Sequence, residues 1–109
     1  MSKYKNKKTQ VDMYVFDSIA ESKRYKELAL LQKAGEIRGL VLQPKFLLQP
    51  AFKKNGKIYR KIEYIADFMY IKNGKIVVED VKGKETDVFK LKHKLFEYKY
   101  PHYELEIIK

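Results

Sequence analysis

The Asn73-Gly74 pair, set between the runs YIADFMYIK and KIVVEDVKGK, constrains this chain more than any other feature. Asn and Gly both accept the positive φ of a two-residue hairpin turn, whose twist matches that of paired strands. Such a turn fixes the register: Lys72 faces Lys75, and counting outward sets Asp67 opposite Asp80. Side-chain alternation then puts Asp80 and Lys82 on one face with Ile65, Met69, Ile71, Ile76 and Val78, and turns Glu79 to the other. Two aspartates opposed within an apolar strip destabilise a sheet unless something compensates them.

Other signals order the remaining elements. Asp17 and Ser18 precede Tyr25, Leu28, Ala29 and Leu31 at helical spacing, and Gly35 stops the pattern, which predicts a helix near 18–34. Extended segments are expected near 37–43 and 46–52, followed by a second turn at Asn55-Gly56 and a strand running to about residue 71. Ile76 to Lys82 form the next strand, and residues 86–99 suit an amphipathic helix, with Phe89, Lys92 and Phe96 on one stripe and Val88, Leu91 and Leu95 beside it. Pro101 ends that helix, and Tyr103 to Lys109 read as a last strand. A right-handed crossover lays this strand parallel to the one carrying Lys82. The expected fold is α/β, a mixed central sheet flanked by helices, in the order helix, antiparallel meander, helix, strand. Residues 1–10 are expected to be a basic flexible arm and 11–109 a single domain.

Charge narrows the partners. With 24 Lys and Arg against 14 Asp and Glu, the formal charge is +10, and a field of that sign attracts polyanions, nucleic acid first among them. An anionic membrane, or simple solubility, would use the same charge. The absence of cysteine excludes disulfides and thiolate-held zinc and fits a reducing, cytoplasmic setting. The Lys-rich start has no long apolar stretch after it, and no run approaches the roughly 20 apolar residues of a membrane span.

A hard divalent cation, Mg2+ or Mn2+, would compensate Asp67 and Asp80, since such ions are held by one or two carboxylates with phosphate oxygens and water. Phosphodiester hydrolysis follows, with Lys82 orienting or helping to deprotonate the attacking water and stabilising the transition state. The run YIADFMYIKNGKIVVEDVKGK resembles the PD-(D/E)XK nuclease superfamily: an Asp, a turn, then an apolar strand ending in acid, any residue, Lys and Gly. Asp67, Asp80 and Lys82 match its motif, and Glu21 matches the Glu that many members add from the first helix. Ala66 stands where the pattern has Pro. The resemblance implies a restriction-endonuclease-like sheet, a metal held by Asp67, Asp80 and Glu21, and DNA as substrate. Size and charge look most like phage-encoded endonucleases and Holliday-junction resolvases, which implies branched DNA and a possible homodimer.

Simpler readings stand beside these. Ser18 and Glu21 form a capping-box pair, although Glu21 shares the inward face of Tyr25 and Leu28. Glu79 competes with Asp80 if a bulge turns it inward, and Asp67 could merely pair with Lys82. Lys84, Lys90, Lys92 and Lys94 follow the site and suit a phosphate path, while Lys53, Lys54, Lys57 and Arg60, with Lys61, cluster at the first hairpin turn. His93 and His102 lack a second ligand at metal-binding spacing. Tyr98 and Tyr100 are the aromatic residues open for base stacking. The rival functions are a non-catalytic basic nucleic-acid-binding module and an RNA nuclease with the same site.

Overall fold

The computed structural model describes residues 8–109. The Lys-rich segment before residue 8, most of the expected arm, lies outside the described residues. The Asn73-Gly74 turn forms as expected: Asn73 and Gly74 have φ 51° and 76°, and β8 (Phe68–Lys72) pairs antiparallel with β9 (Lys75–Val81) from Lys72↔Lys75 to Phe68↔Glu79. On the far side of β8 lies β3 (Arg38–Leu42), and on the far side of β9 runs β10 (Glu104–Ile108), parallel to it. The central sheet therefore has four strands in the order β10-β9-β8-β3, with one parallel and two antiparallel pairings. The protein is mixed α/β.

Each face of this sheet carries a helix. Helix α1 (Ile19–Lys33) starts at Ser18, whose hydroxyl accepts the Glu21 N–H at 3.1 Å. It buries Ser22, Tyr25 and Leu28, and its core joins Phe16, Ile37, Phe68, Tyr70 and Val77. Helix α2 (Asp87–Lys99) starts at Thr86, whose hydroxyl accepts the Phe89 N–H at 3.1 Å, and buries Phe89 and Phe96 against Phe46, Tyr64, Ala66 and Val78. Of the stripe expected beside these, Val88 and Leu91 are exposed. Fully burying a side chain such as Phe96 is worth about 1.5–3 kcal/mol, so two aromatic anchors hold most of α2 in place.

The chain departs from expectation in three places. The strand expected to run from the first hairpin turn to residue 71 is three strands: β6 (Lys57–Tyr59), β7 (Ile62–Ile65) and β8. β7 pairs with β4 (Lys45–Gln49) in a separate two-stranded sheet that covers the α2 core, while β6 and β5 (Phe52–Lys54) close around Asn55-Gly56. Second, the alternation shifts by one between β7 and β8. Tyr64 and Ala66 face the α2 core, Phe68 and Tyr70 the α1 core, and Ile65, expected inside, is half exposed. Asp67 sits at that shift. Third, Thr9 and Gln10, expected in the flexible arm, belong to β1 (Thr9–Val11), which pairs with β2 (Tyr14–Phe16). Among the described residues no helix is long and apolar enough to cross a membrane.

Candidate active site

Asp80 lies near the end of β9 on the α2 face and is 2% exposed. Its Oδ2 accepts the Tyr64 hydroxyl at 2.5 Å and its Oδ1 lies 3.5 Å from Lys82 Nζ. Burial and the adjoining Asp80 carboxylate push the Tyr64 hydroxyl well above its ordinary range, so Tyr64 stays a proton donor. Asp67 does not complete a ladder rung with Asp80, because regular pairing stops at Phe68↔Glu79. Its backbone is nevertheless held on both sides. The Asp67 N–H donates to the Glu79 carbonyl at 3.0 Å, and its carbonyl accepts the Gln43 N–H at 2.9 Å. Its Oδ2 accepts the Val81 N–H at 2.7 Å, which holds the carboxyl against the strand that bears Asp80.

The two acids share an excess of negative charge. Burial, followed by the charges of Asp80 and Glu21, pushes the Asp67 carboxyl up to about 8, against the opposing pull of the Val81 N–H. Glu21 is half-buried at the start of α1, and its carboxyl is also raised, by burial first, then by Asp17 and Asp80. Glu21 and Asp67 line one cavity of about 210 Å³ with Tyr14, Phe16, Leu42 and Gln43. On the α2 side, Lys82 lines a second cleft with Tyr64, Thr86, Phe89 and Lys92, its ammonium 4.7 Å from the Phe89 ring centre. The acids and the lysine thus lie between two recesses, one acidic and one basic.

Among the described residues, no three Asp, Glu or His side chains stand close enough to hold an ion between them. The residues present fit a two-carboxylate site: Asp67 and Asp80 are hard oxygen donors whose mutual repulsion a cation relieves, and Mg2+ commonly takes only one or two carboxylates from the protein. Glu21 lines the α1-side cavity with Asp67, but Asp80 does not, so the expected three-carboxylate set is not brought together.

Glu79, the competitor for Asp80, has a different role. It is fully buried on the α1 face, where Arg24 grips it through Nε and Nη2 at 2.7 and 2.6 Å and the Tyr70 hydroxyl donates to its Oε2. Lys82 pairs with Asp80 rather than with Asp67. Of the other basic residues, Lys92 lines the cleft with Lys82, whereas Lys84, Lys90 and Lys94 are exposed beside it. Lys53, Lys54, Lys57 and Arg60 are exposed on and beside the β5–β6 hairpin. His93 lies on the α2 surface 4.0 Å from Glu97. Tyr98 is open to solvent, but Tyr100 stacks on Phe96 and donates to the Leu47 carbonyl. Sequence reasoning missed Tyr64, Gln43 and the Arg24–Glu79–Tyr70 cluster. Tyr64 was open to discovery as a tyrosine three residues before the first Asp; nothing local marks the others.

Two predictions arise here. The folded, metal-free protein keeps a proton on Asp67 up to about pH 8, whereas an ordinary Asp releases it near 3.8. The folded state therefore binds more protons than the unfolded chain between those values, and stability falls as pH rises through that window. Asp67→Asn, which retains an acceptor for Val81, should raise the melting temperature in chelator at pH 8 by several degrees, roughly 1–2 kcal/mol, and give little gain at pH 4. Equal shifts at both pH values would contradict the repulsion. In the second, if Glu21 assists a metal-dependent hydrolysis at Asp67, Glu21→Gln should lower that activity while leaving the melting temperature nearly unchanged, because its backbone N–H still meets Ser18. Ser18→Ala does the opposite, losing about 1 kcal/mol of stability. Wild-type cleavage in Glu21→Gln would return Glu21 to helix capping.

Fold and site together define a basic, mixed α/β protein with a paired-carboxylate and lysine centre at the open end of its central hairpin. The chain belongs to the family described as "Protein of unknown function (DUF1064)", whose model matches residues 1–109. No curated protein matches it.

Proposed function

We propose that this chain is a metal-dependent endonuclease that hydrolyses DNA phosphodiester bonds, with its mixed sheet a restriction-endonuclease-like one. The observation that carries the reading is the gathering of Asp67 and Asp80 beside Lys82, where burial first, and then the charge of Asp80, pushes the Asp67 carboxyl up to about 8. A folded protein tolerates such repulsion where function requires it. Asp67 and Asp80 would bind Mg2+ or Mn2+, which when present supplies charge neutralisation at the phosphate and acidifies water. Tyr64 fixes one oxygen of Asp80 and leaves the other toward Lys82. Lys82, half-buried and held over Phe89, orients the attacking water and stabilises negative charge developing on the phosphate. Water adds to phosphorus and gives a proton to solvent or a neighbouring base, the P–O bond to the leaving strand breaks, and the leaving oxygen takes a proton from solvent to become a hydroxyl. Lys92 extends positive charge from Lys82 along the cleft, in line with a strand lying there.

The resemblance to resolvases favours branched DNA, cut by a homodimer with two sites at fixed separation. The deciding experiment incubates the protein with linear, single-stranded and four-way-junction DNA, with Mg2+, Mn2+ or chelator. Metal-dependent nicking, fastest on the junction, is expected. No cleavage of any substrate with either metal would leave a non-catalytic nucleic-acid-binding protein, and cleavage in chelator would refute the metal mechanism.

A further inference from the structure

The β5–β6 hairpin belongs to neither hydrophobic core. Every residue from 50 to 62 is exposed, including Phe52 at 44%, Tyr59 at 39% and Ile58 at 70%. The described residues have a radius of gyration of 15.8 Å, whereas a compact chain of about 100 residues has about 13 Å. An extension of this kind carries no core and must be rigid by itself. It is rigid here because Asn55 and Gly56 take φ 50° and 76°, and the Phe52 and Tyr59 rings stack at 4.7 Å and 8°. Lys53, Lys54, Lys57, Arg60 and Lys61 fall in a stretch without one Asp or Glu. Among the described residues, the first four have no carboxylate partner, and Lys61 meets only Glu63.

We infer that the β5–β6 hairpin is a wing that enters the major groove of B-form DNA and holds the duplex arm beside the candidate active site. The inference rests on the nucleic-acid reading above and deepens it by choosing duplex DNA over RNA. Cross-strand partners share a face, so Phe52, Tyr59, Lys54 and Lys57 occupy one side of the ribbon and Lys53 and Ile58 the other. Cations on both sides match a groove, which has a phosphate wall on each side, better than a flat membrane or a single strand, which meets one side only. A two-stranded ribbon fits the major groove, about 12 Å wide and about 8.5 Å deep. The five residues from Pro50 to Lys54 span roughly 17 Å, enough to reach its floor. The A-form RNA major groove is too narrow for it. Because Phe52 and Tyr59 already cover each other, they stiffen the ribbon rather than offering a slot for an unpaired base.

The test measures binding of the full chain, in chelator so that nothing is cut, to a labelled 20-base-pair DNA duplex and an RNA duplex of the same sequence. The variants are Lys53→Glu and Lys54→Glu, singly and together. Lys23→Glu/Lys26→Glu on the exposed side of α1 is the control for the same change of net charge. Thermal melting confirms folding, which these exposed changes should not alter. The expected result is a loss of DNA affinity in the hairpin double variant roughly tenfold beyond the control, a contribution from each single variant, and a salt slope shallower by about 2. The RNA duplex binds weakly and shows no extra loss. Netropsin, which fills the minor groove, leaves DNA binding intact, whereas glucosylated 5-hydroxymethylcytosine, which fills the major groove, weakens it. Equal losses in hairpin and control variants, equal losses on RNA and DNA, or displacement by netropsin would overturn the wing. Failure of the nuclease reading appears separately, as absent cleavage with Mg2+ and Mn2+ while the binding results stand.

Discussion

Asp80→Asn is expected to lower the proposed metal-dependent cleavage by roughly 10²–10³-fold or more, with the protein still folded and the proposed DNA binding retained. The asparagine keeps an oxygen for the Tyr64 hydroxyl, so the buried hydrogen bond survives. What disappears is the charge that would bind the proposed cation beside Asp67, the partner 3.5 Å from Lys82 Nζ and one source of the repulsion that raises the Asp67 carboxyl. The same substitution therefore makes the metal-free protein more stable near pH 8 and strengthens DNA binding, because a negative charge near the phosphate is gone. Single-turnover cleavage, melting in chelator and DNA titration report these three effects separately. A purely structural Asp80 would give the reverse pattern, lower stability with activity falling only as the protein unfolds. Asp80→Asn cutting at the wild-type rate would remove the candidate site altogether.

The part of this site legible in the sequence is the part written in local rules. Asn73-Gly74 fixes a register, and from it the exposure of Asp80 and Lys82 to the α2 side and of Glu79 to the other follows by counting. Ser18 and Thr86 announce their helices through hydroxyls that cap them. The hidden parts depend on distant segments or on turns without their usual residues. The β1–β2 hairpin turns at Asp12 and Met13, with φ 49° and 72°, and a methionine there gives no hairpin signal. Asp12 is instead steadied from α1, by the Tyr25 hydroxyl at 3.0 Å. The break at Asp67 is equally silent, because Ile62 to Lys72 reads as one apolar strand whether or not its alternation shifts. That shift explains why Asp67 comes near both Glu21 and Asp80, groups from opposite sides of the sheet. Continuous alternation from Ile65 would have kept Asp67 on the α2 face alone.

Arg24→Met unfolds or severely weakens the protein, and the reason lies in Glu79. That carboxylate is fully buried, and Arg24 supplies its only positive partner among the described residues, through two short hydrogen bonds. Arg24 itself is pushed further toward the charged form, chiefly by its hydrogen bonds to Glu79. Removing one member of such a pair leaves a buried charge uncompensated, at a cost of roughly 3–5 kcal/mol, against a total stability of about 5–15 kcal/mol for a domain. The Tyr70 hydroxyl, raised by burial and by Glu79, remains a donor but carries no charge to offset it. Replacing the whole cluster differs from breaking it. Arg24→Met with Glu79→Leu and Tyr70→Phe leaves no buried polar group behind and should recover most of the lost melting temperature. Because these residues lie on the α1 face, away from Lys82 and its cleft, the triple variant should also keep metal-dependent cleavage. Denaturant titration of the single and triple variants, with cleavage measured on whatever folds, tests both claims. A triple variant as unstable as Arg24→Met would show that the cluster holds α1 to the sheet by more than charge compensation. Loss of cleavage in a folded triple variant would place Glu79, not Asp80 alone, in the active site.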